Sequence, residues 1–153
     1  MLNGGNHVLM IDRNVSVLSD LAVLARDIVP VASSRIFAAV YSKNRVISYG
    51  WNQMKSHPFQ AQWSKNDDAI FWHAETHAIY NALRVCDEDE LRKMTLYIAR
   101  SRRPEDGKTD KWTWGNCRPC EGCLSCLTNY NVKRVVYTLD NIGEYGVIEK
   151  SNP

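Results

Sequence analysis

The tightest constraint on how this chain can fold is a pair of short segments, far apart in sequence, that are chemically useful only together: His73-Ala74-Glu75 and Pro119-Cys120-Glu121-Gly122-Cys123. One imidazole and two thiolates give three protein ligands for Zn²⁺ and leave the fourth tetrahedral position open, which distinguishes a catalytic zinc site from a closed structural one. Glu75, two residues beyond the histidine, is then free to move protons rather than bind metal. Any acceptable fold must bring residues 73, 120 and 123 to one point.

The 153 residues, 44% of them apolar, suit one domain spanning 1–153 with a full core. Nineteen basic and 17 acidic residues leave a formal charge of +2, too close to neutral to argue for a nucleic-acid binder by overall charge. No apolar run is long enough to span a bilayer, and the N-terminus has no charged-then-apolar leader pattern, so the expectation is a cytoplasmic protein that engages no membrane. In that reducing setting the five cysteines read as metal ligands or plain thiols rather than disulfides.

Helix and strand patterns alternate along the chain. Val15 to Val29 has helical apolar spacing and stops before Pro30. Ile36 to Tyr41 and Arg45 to Tyr49 form a hairpin around Ser42-Lys43-Asn44, closed by Gly50-Trp51-Asn52. His73 to Arg84 is a second amphipathic helix, Thr95 to Ala99 a third strand, Cys120 to Tyr130 a third helix, Val132 to Thr138 a fourth strand and Val147-Ile148 a short fifth. The charged stretch of about 100–116 reads as a long exposed loop. Both motifs thus fall at helix N-termini, where unpaired N–H groups and the positive dipole end favour thiolates. Strand-then-helix units imply parallel pairing with right-handed crossovers, hence a layered α/β domain containing a mixed sheet.

On Lys43 to Asn52, His73 to Ala82 and Pro119 to Cys123, in that order, the chain resembles the cytidine deaminase superfamily, and most of all its deoxycytidylate deaminase branch. The resemblance implies a three-layer α/β fold with a mixed five-stranded sheet and helices on both faces. It implies one Zn²⁺ per chain on His73, Cys120 and Cys123, with Glu75 as the catalytic proton shuttle. It also implies substrate contacts from Asn52 to a sugar, from the backbone N–H of Ala74 to the pyrimidine carbonyl, and from the backbone carbonyl at position 118, where Arg118 stands in place of the usual small hydroxylic residue. The implied reaction is hydrolytic deamination of a cytosine nucleotide, dCMP to dUMP with release of ammonia. Zinc brings the pKa of bound water from about 15.7 to roughly 7. Homo-oligomerisation is implied by family likeness alone, and no second zinc motif precedes His73 to suggest control by nucleoside triphosphates.

Several residues have a plainer reading. His77, one turn after His73, fits a core or pocket-wall role better than a second ligand, because no glutamate adjoins the first histidine as in His-Glu-x-x-His sites. Asn52 reads equally well as a turn residue closing a strand. Trp51, Trp72, Trp112 and Trp114 could stack a base but fill cores more often. Arg100, Arg102, Arg103, Lys108 and Lys111 read as a solvated loop before a phosphate site. Cys117, Cys120, Cys123 and Cys126, each three apart, also allow an iron–sulfur cluster or a closed four-cysteine zinc site in a non-catalytic module, and both would leave His73 and Glu75 idle. A deaminase acting on another base, a pyrimidine precursor or a polynucleotide is the remaining alternative to the free nucleotide.

Overall fold

Successive side chains of a strand face opposite sides, so a strand covered on both faces is apolar at every position. That pattern identifies the middle of this molecule. A computed structural model describes residues 12–64, 71–103 and 111–150. Its strands are β1 (Arg35–Ser42), β2 (Arg45–Trp51), β3 (Thr95–Arg102), β4 (Thr113–Gly115), β5 (Arg134–Thr138) and β6 (Tyr145–Glu149). The sheet runs β2-β1-β3-β5-β6, with β4 pairing to β3 beyond the end of β5. Among the described residues only β3 and β5 pair in parallel; the other pairings are antiparallel.

Ala38, Val40, Leu96, Ile98, Val135 and Tyr137 point to one face and Phe37, Ala39, Tyr97, Ala99 and Val136 to the other. Helix α1 (Arg13–Ala25) covers the second face with Val17, Leu18, Leu21, Ala22 and Ala25. Helices α3 (Ala74–Leu83) and α4 (Glu121–Asn129) cover the first face, with a 3-10 turn at Glu88–Lys93 that buries Leu91. A 13-residue helix is marginal alone, so α1 owes its stability to this docking, each fully buried leucine contributing roughly 1.5–3 kcal/mol. The layered α/β expectation is met, with five strands in one path and β4 added to them.

Helix ends follow local chemistry. The Asp12 carboxylate caps α1 by accepting from the Asn14 amide at 2.8 Å. The helix ends at Ala25 rather than Val29: the amides of Arg26, Asp27 and Ile28 reach only three residues back, as the chain tightens before Pro30. After α4, Asn131 takes a left-handed φ of 54°. Its N–H bonds to Thr128 O and that of Val132 to Leu127 O, a Schellman close that turns the chain directly into β5.

Two other sequence expectations are corrected. The loop of about 100–116 is partly sheet: β3 continues to Arg102 and Thr113–Gly115 returns along it, so Arg100 pairs with Gly115. Charged side chains disguised these strands, because the end of a sheet tolerates polar residues; Lys108, in the same stretch, lies outside the described residues. A short helix, α2 (Pro58–Trp63), was absent from the expectation. His57 caps it by accepting from the Phe59 amide at 3.1 Å, with Pro58 at the favoured first position.

Candidate metal and catalytic site

Strands β2, β3 and β5 run in one direction, and the starts of α3 and α4 meet at their C-terminal ends. Helix α3 is pressed onto β2. Ser48 Oγ donates to Ala78 O at 2.7 Å, Asn81 Nδ2 donates to Tyr49 O at 2.8 Å, and a Cβ at Gly50 would lie 2.2 Å from Ala78 N. Helix α4 is placed from the other side. Strand β4 leads the chain past Thr138, whose hydroxyl donates to Gly115 O at 2.7 Å, and on through Cys117 to Cys120. At the first turn of α4, a Cβ on Gly122 would lie 2.5 Å from Trp63 O at the end of α2. Both close approaches require glycine.

His73 and Cys120 are the N-cap residues of α3 and α4. His73 Nδ1 lies 3.3 Å from Cys123 Sγ and 3.6 Å from Cys120 Sγ, and the three donor atoms all fall within 4.8 Å of one another. Bonds of roughly 2.0–2.1 Å to nitrogen and 2.3 Å to sulfur in a tetrahedron predict an N···S edge of about 3.6 Å. The donor set therefore fits zinc in kind and in spacing. Among the described residues this is the one group of three or more His, Cys, Asp or Glu side chains close enough to share an ion.

The electrostatics divide the labour between the sulfurs. A hydrogen bond from Cys123, with help from His73, lowers Cys120 to about 3, making it a standing thiolate. Cys123 is pushed up by donating to that thiolate and by burial, while His73 is raised by its bond to Cys120. The Glu75 carboxyl is 6% exposed, hydrogen-bonds Cys123 and is raised chiefly by burial, with the nearby His73 opposing. A carboxyl held above its usual range is suited to accept and return a proton near neutral pH.

These groups open onto a cleft of about 290 Å³ lined by Ile36, Asn52, Phe71, His73, Ala74, Glu75, Asn116, Arg118 and Cys120, among others. Every site residue expected from sequence lines this cleft except Cys123, which lies buried behind it. Asn52 is both strand-closing and cleft-lining: its Oδ1 accepts from Ile36 N at 3.0 Å and its Nδ2 donates to Ser34 O at 2.9 Å. One lone pair and one N–H remain on that amide for a ligand. Ala74, first residue of α3, presents one of the helix's unpaired amides. Arg118 is exposed, its guanidinium donating to Tyr137 Oη at 3.0 Å.

The alternatives sort out by position. His77 Nδ1 accepts from Trp51 N at 3.1 Å and faces Gln53 Nε2 at 2.9 Å; burial pushes the ring down to about 4, so it is a neutral core residue packed against Trp51 and Trp72 rather than part of the cleft lining. Cys117 and Cys126 are buried apart from the donor group, against a four-cysteine site. None of the four tryptophans lines the cleft; Phe71 is the aromatic there. Trp114 is core, Trp72 stacks on His57 at 4.0 Å, Trp51 stacks on Phe37, and Trp112 sits under Arg26, Arg35 and Arg103.

Sequence reasoning missed Gln60. Its buried carbonyl accepts from His73 N at 3.0 Å and from Thr76 Oγ1, fixing the start of α3 from α2. The only available signal was the Pro58 helix start, too short to carry a periodicity.

Residues 14–139 match the family model described as the cytidine and deoxycytidylate deaminase zinc-binding region. The chain belongs to this deaminase family. Among solved structures, the apo dCMP deaminase from the cyanophage S-TIM5 is similar at 18% identity, with 84% of each chain covered and a TM-score of 0.54. The same cyanophage enzyme in complex with dCMP and dUMP aligns at 15% identity, over 80% of this chain and 76% of that one, with a TM-score of 0.47. No curated protein matches the chain by sequence. The first of these structures shares the deaminase fold. Among the described residues, no helix of this family member is long and apolar enough to cross a membrane.

Proposed function

We propose that the chain is a zinc-dependent hydrolase that deaminates a cytosine nucleotide, with dCMP as the substrate and dUMP and ammonia as products. The observation that carries this reading is the convergence of His73 Nδ1, Cys120 Sγ and Cys123 Sγ beside the buried Glu75 carboxyl, at the floor of a cleft whose described lining includes one cation, Arg118. His73, Cys120 and Cys123 would hold zinc, which when bound supplies the Lewis acidity that makes water nucleophilic near neutral pH. As water oxygen bonds to C4 of the ring, Glu75 takes a water proton and delivers it to N3. Glu75 then passes the remaining proton to the C4 amine, the C4–N bond breaks, ammonia leaves and a uracil ring remains. Phe71 offers an apolar face to the pyrimidine, the Ala74 amide a donor to its carbonyl, and Asn52 its spare amide valences to the sugar.

Arg118 directs the choice of a nucleotide over a free nucleoside. Its guanidinium, which donates to Tyr137 Oη from the cleft lining, would take the phosphate through its remaining N–H groups. The relative with the same fold is named a dCMP deaminase, which supports the single phosphate and deoxyribose. Ammonia release measured over dCMP, CMP, dCTP, deoxycytidine and a single-stranded oligonucleotide tests this, with dCMP expected to lead. Arg118→Ala should narrow the gap between dCMP and deoxycytidine by about tenfold or more, through KM. Glu75→Ala should cost on the order of 10²–10⁴-fold in turnover while zinc content stays at one per chain. Loss of zinc from that variant would make Glu75 a ligand or folding residue and overturn its assigned role.

A further inference from the structure

We propose that the molecule carries a second anion site, for a compact multiply charged phosphate group, in a basic cleft at the end of the sheet opposite the metal cluster. Three segments distant in sequence meet there: the end of the 3-10 turn with Arg92 and Lys93, the start of β5 with Lys133 and Arg134, and Lys150 just past β6. Backbone hydrogen bonds stitch them together. Lys133 N–H bonds to Met94 O and Lys150 N–H to Lys133 O, both at 3.1 Å, so the convergence is fixed by the chain path rather than by mobile side chains. The cleft is about 320 Å³, and its described lining sets these five cations against one carboxylate, Glu149.

That carboxylate does little to balance the cleft. Glu149 Oε1 lies 4.0 Å from Arg134 Nη1, on side chains 68% and 35% exposed, a geometry that contributes almost nothing in water. The Nε of Arg134 is buried with no hydrogen-bond acceptor among the described residues. The described lining bears a formal +4, while the whole chain carries only +2. Gathering like charge in a concavity opposes folding by mutual repulsion and raises the local concentration of anions. Two of the cations, Arg92 and Lys93, also suit a helix C-terminus; Lys133 and Lys150 have no such structural role.

The site is separate from the catalytic cleft. It sits at the N-terminal ends of β3 and β5, whereas the metal cluster sits beyond the C-terminal ends, roughly 16 Å away along the five residues of β5. Among the described residues the two clefts share no lining residue. Because the cations surround one concavity instead of forming a stripe, the ligand is a short oligophosphate group rather than an extended polynucleotide backbone, which needs a charged track.

Titration of the zinc-loaded chain with inorganic tripolyphosphate, followed by backbone amide NMR, tests the proposal. Shifts are expected at Met94, Lys133, Arg134 and Lys150, with Arg118→Ala leaving the affinity unchanged. Reversing two exposed charges, Lys133→Glu with Lys150→Glu, should weaken binding by about tenfold or more, and the conservative Lys133→Arg with Lys150→Arg should preserve it. A dispersed amide spectrum certifies that each variant is folded. No shifts at millimolar tripolyphosphate, or binding indifferent to charge reversal, would overturn the site. Displacement of tripolyphosphate by a single-stranded oligonucleotide at equal phosphate concentration would overturn the compact ligand.

Discussion

Cys120 and Cys123 stand at the first turn of α4, against His73, while Cys117 and Cys126, each three residues away, are buried outside the donor group. The inner pair shares a proton and holds Cys120 at about 3; burial drives each of the outer thiols up to about 12. Cys117 is in hydrogen-bonding contact with Thr138 Oγ1 at 3.2 Å and with Ile98 O at 3.4 Å, beneath the sheet end. Cys126 packs into the core on the α3 face. The chain is irregular from Asn116 to Pro119, where the Arg118 amide turns back to Asn116 Oδ1 at 3.0 Å, and helical after Cys120, where Cys126 lies roughly 4.5 Å further along the axis than Cys123. Equal spacing in sequence therefore yields unequal chemistry, and the start of the helix at Cys120 decides which thiols can reach a metal.

The comparison breaks most visibly under substitution. Cys123→Ala should abolish metal retention and turnover together, while Cys126→Ala should keep one zinc per chain and near-normal kcat. Elemental analysis beside an ammonia assay reads both, and loss of zinc from Cys126→Ala would bring the four-cysteine site back. Alkylation of metal-depleted protein sharpens the same contrast. At pH 7 a thiol at about 12 is ionised to only about one part in 10⁵, whereas Cys120 is fully thiolate. Mass spectrometry after iodoacetamide should find Cys120 modified at a rate flat between pH 5 and 8, since it is ionised throughout, with Cys117 and Cys126 untouched. A rate that climbs with pH through 8 would mean that Cys120 has an ordinary pKa.

Removing the support beneath the inner group should have a smaller effect. Gln60→Ala strips the acceptor from His73 N and Thr76 Oγ1 and should lower zinc affinity or kcat/KM by about 10–100-fold, the usual cost of losing an outer partner. Unchanged zinc affinity and kcat/KM would make α2 mere packing. The smallest effect belongs to the outer thiols: Cys126→Ala should cost about 1–2 kcal/mol of stability by denaturant unfolding, from lost burial and a small void.

The donor group was legible in the sequence because its residue types and spacing have few other uses, and the helices behind it because their apolar positions repeat. The parts that hold it in place were not. Helix α2 has six residues and announces itself only by Pro58, so Gln60 looked like any surface glutamine. Strand β4 has three residues inside a charged stretch, and its pairing with β3 depends on a partner distant in sequence. The role of Asn52 divided evenly between strand closure and ligand contact, and it lies where one amide can serve both. Phe71 gave no periodic signal; its place in the cleft comes from the start of α3, three residues on.

The contact at Gly50 has a bearing on how variants of this protein should be interpreted. With Ala78 N only 2.2 Å and Ala74 O only 2.5 Å from where a methyl would stand, any side chain at position 50 must push away the helix whose start carries the imidazole and the acid. A residue with no reactive group, absent from the described lining of the cleft, would therefore score as essential in a random-mutagenesis screen. Hits of that kind mark the scaffold's clearance and should be set apart from hits that mark chemistry.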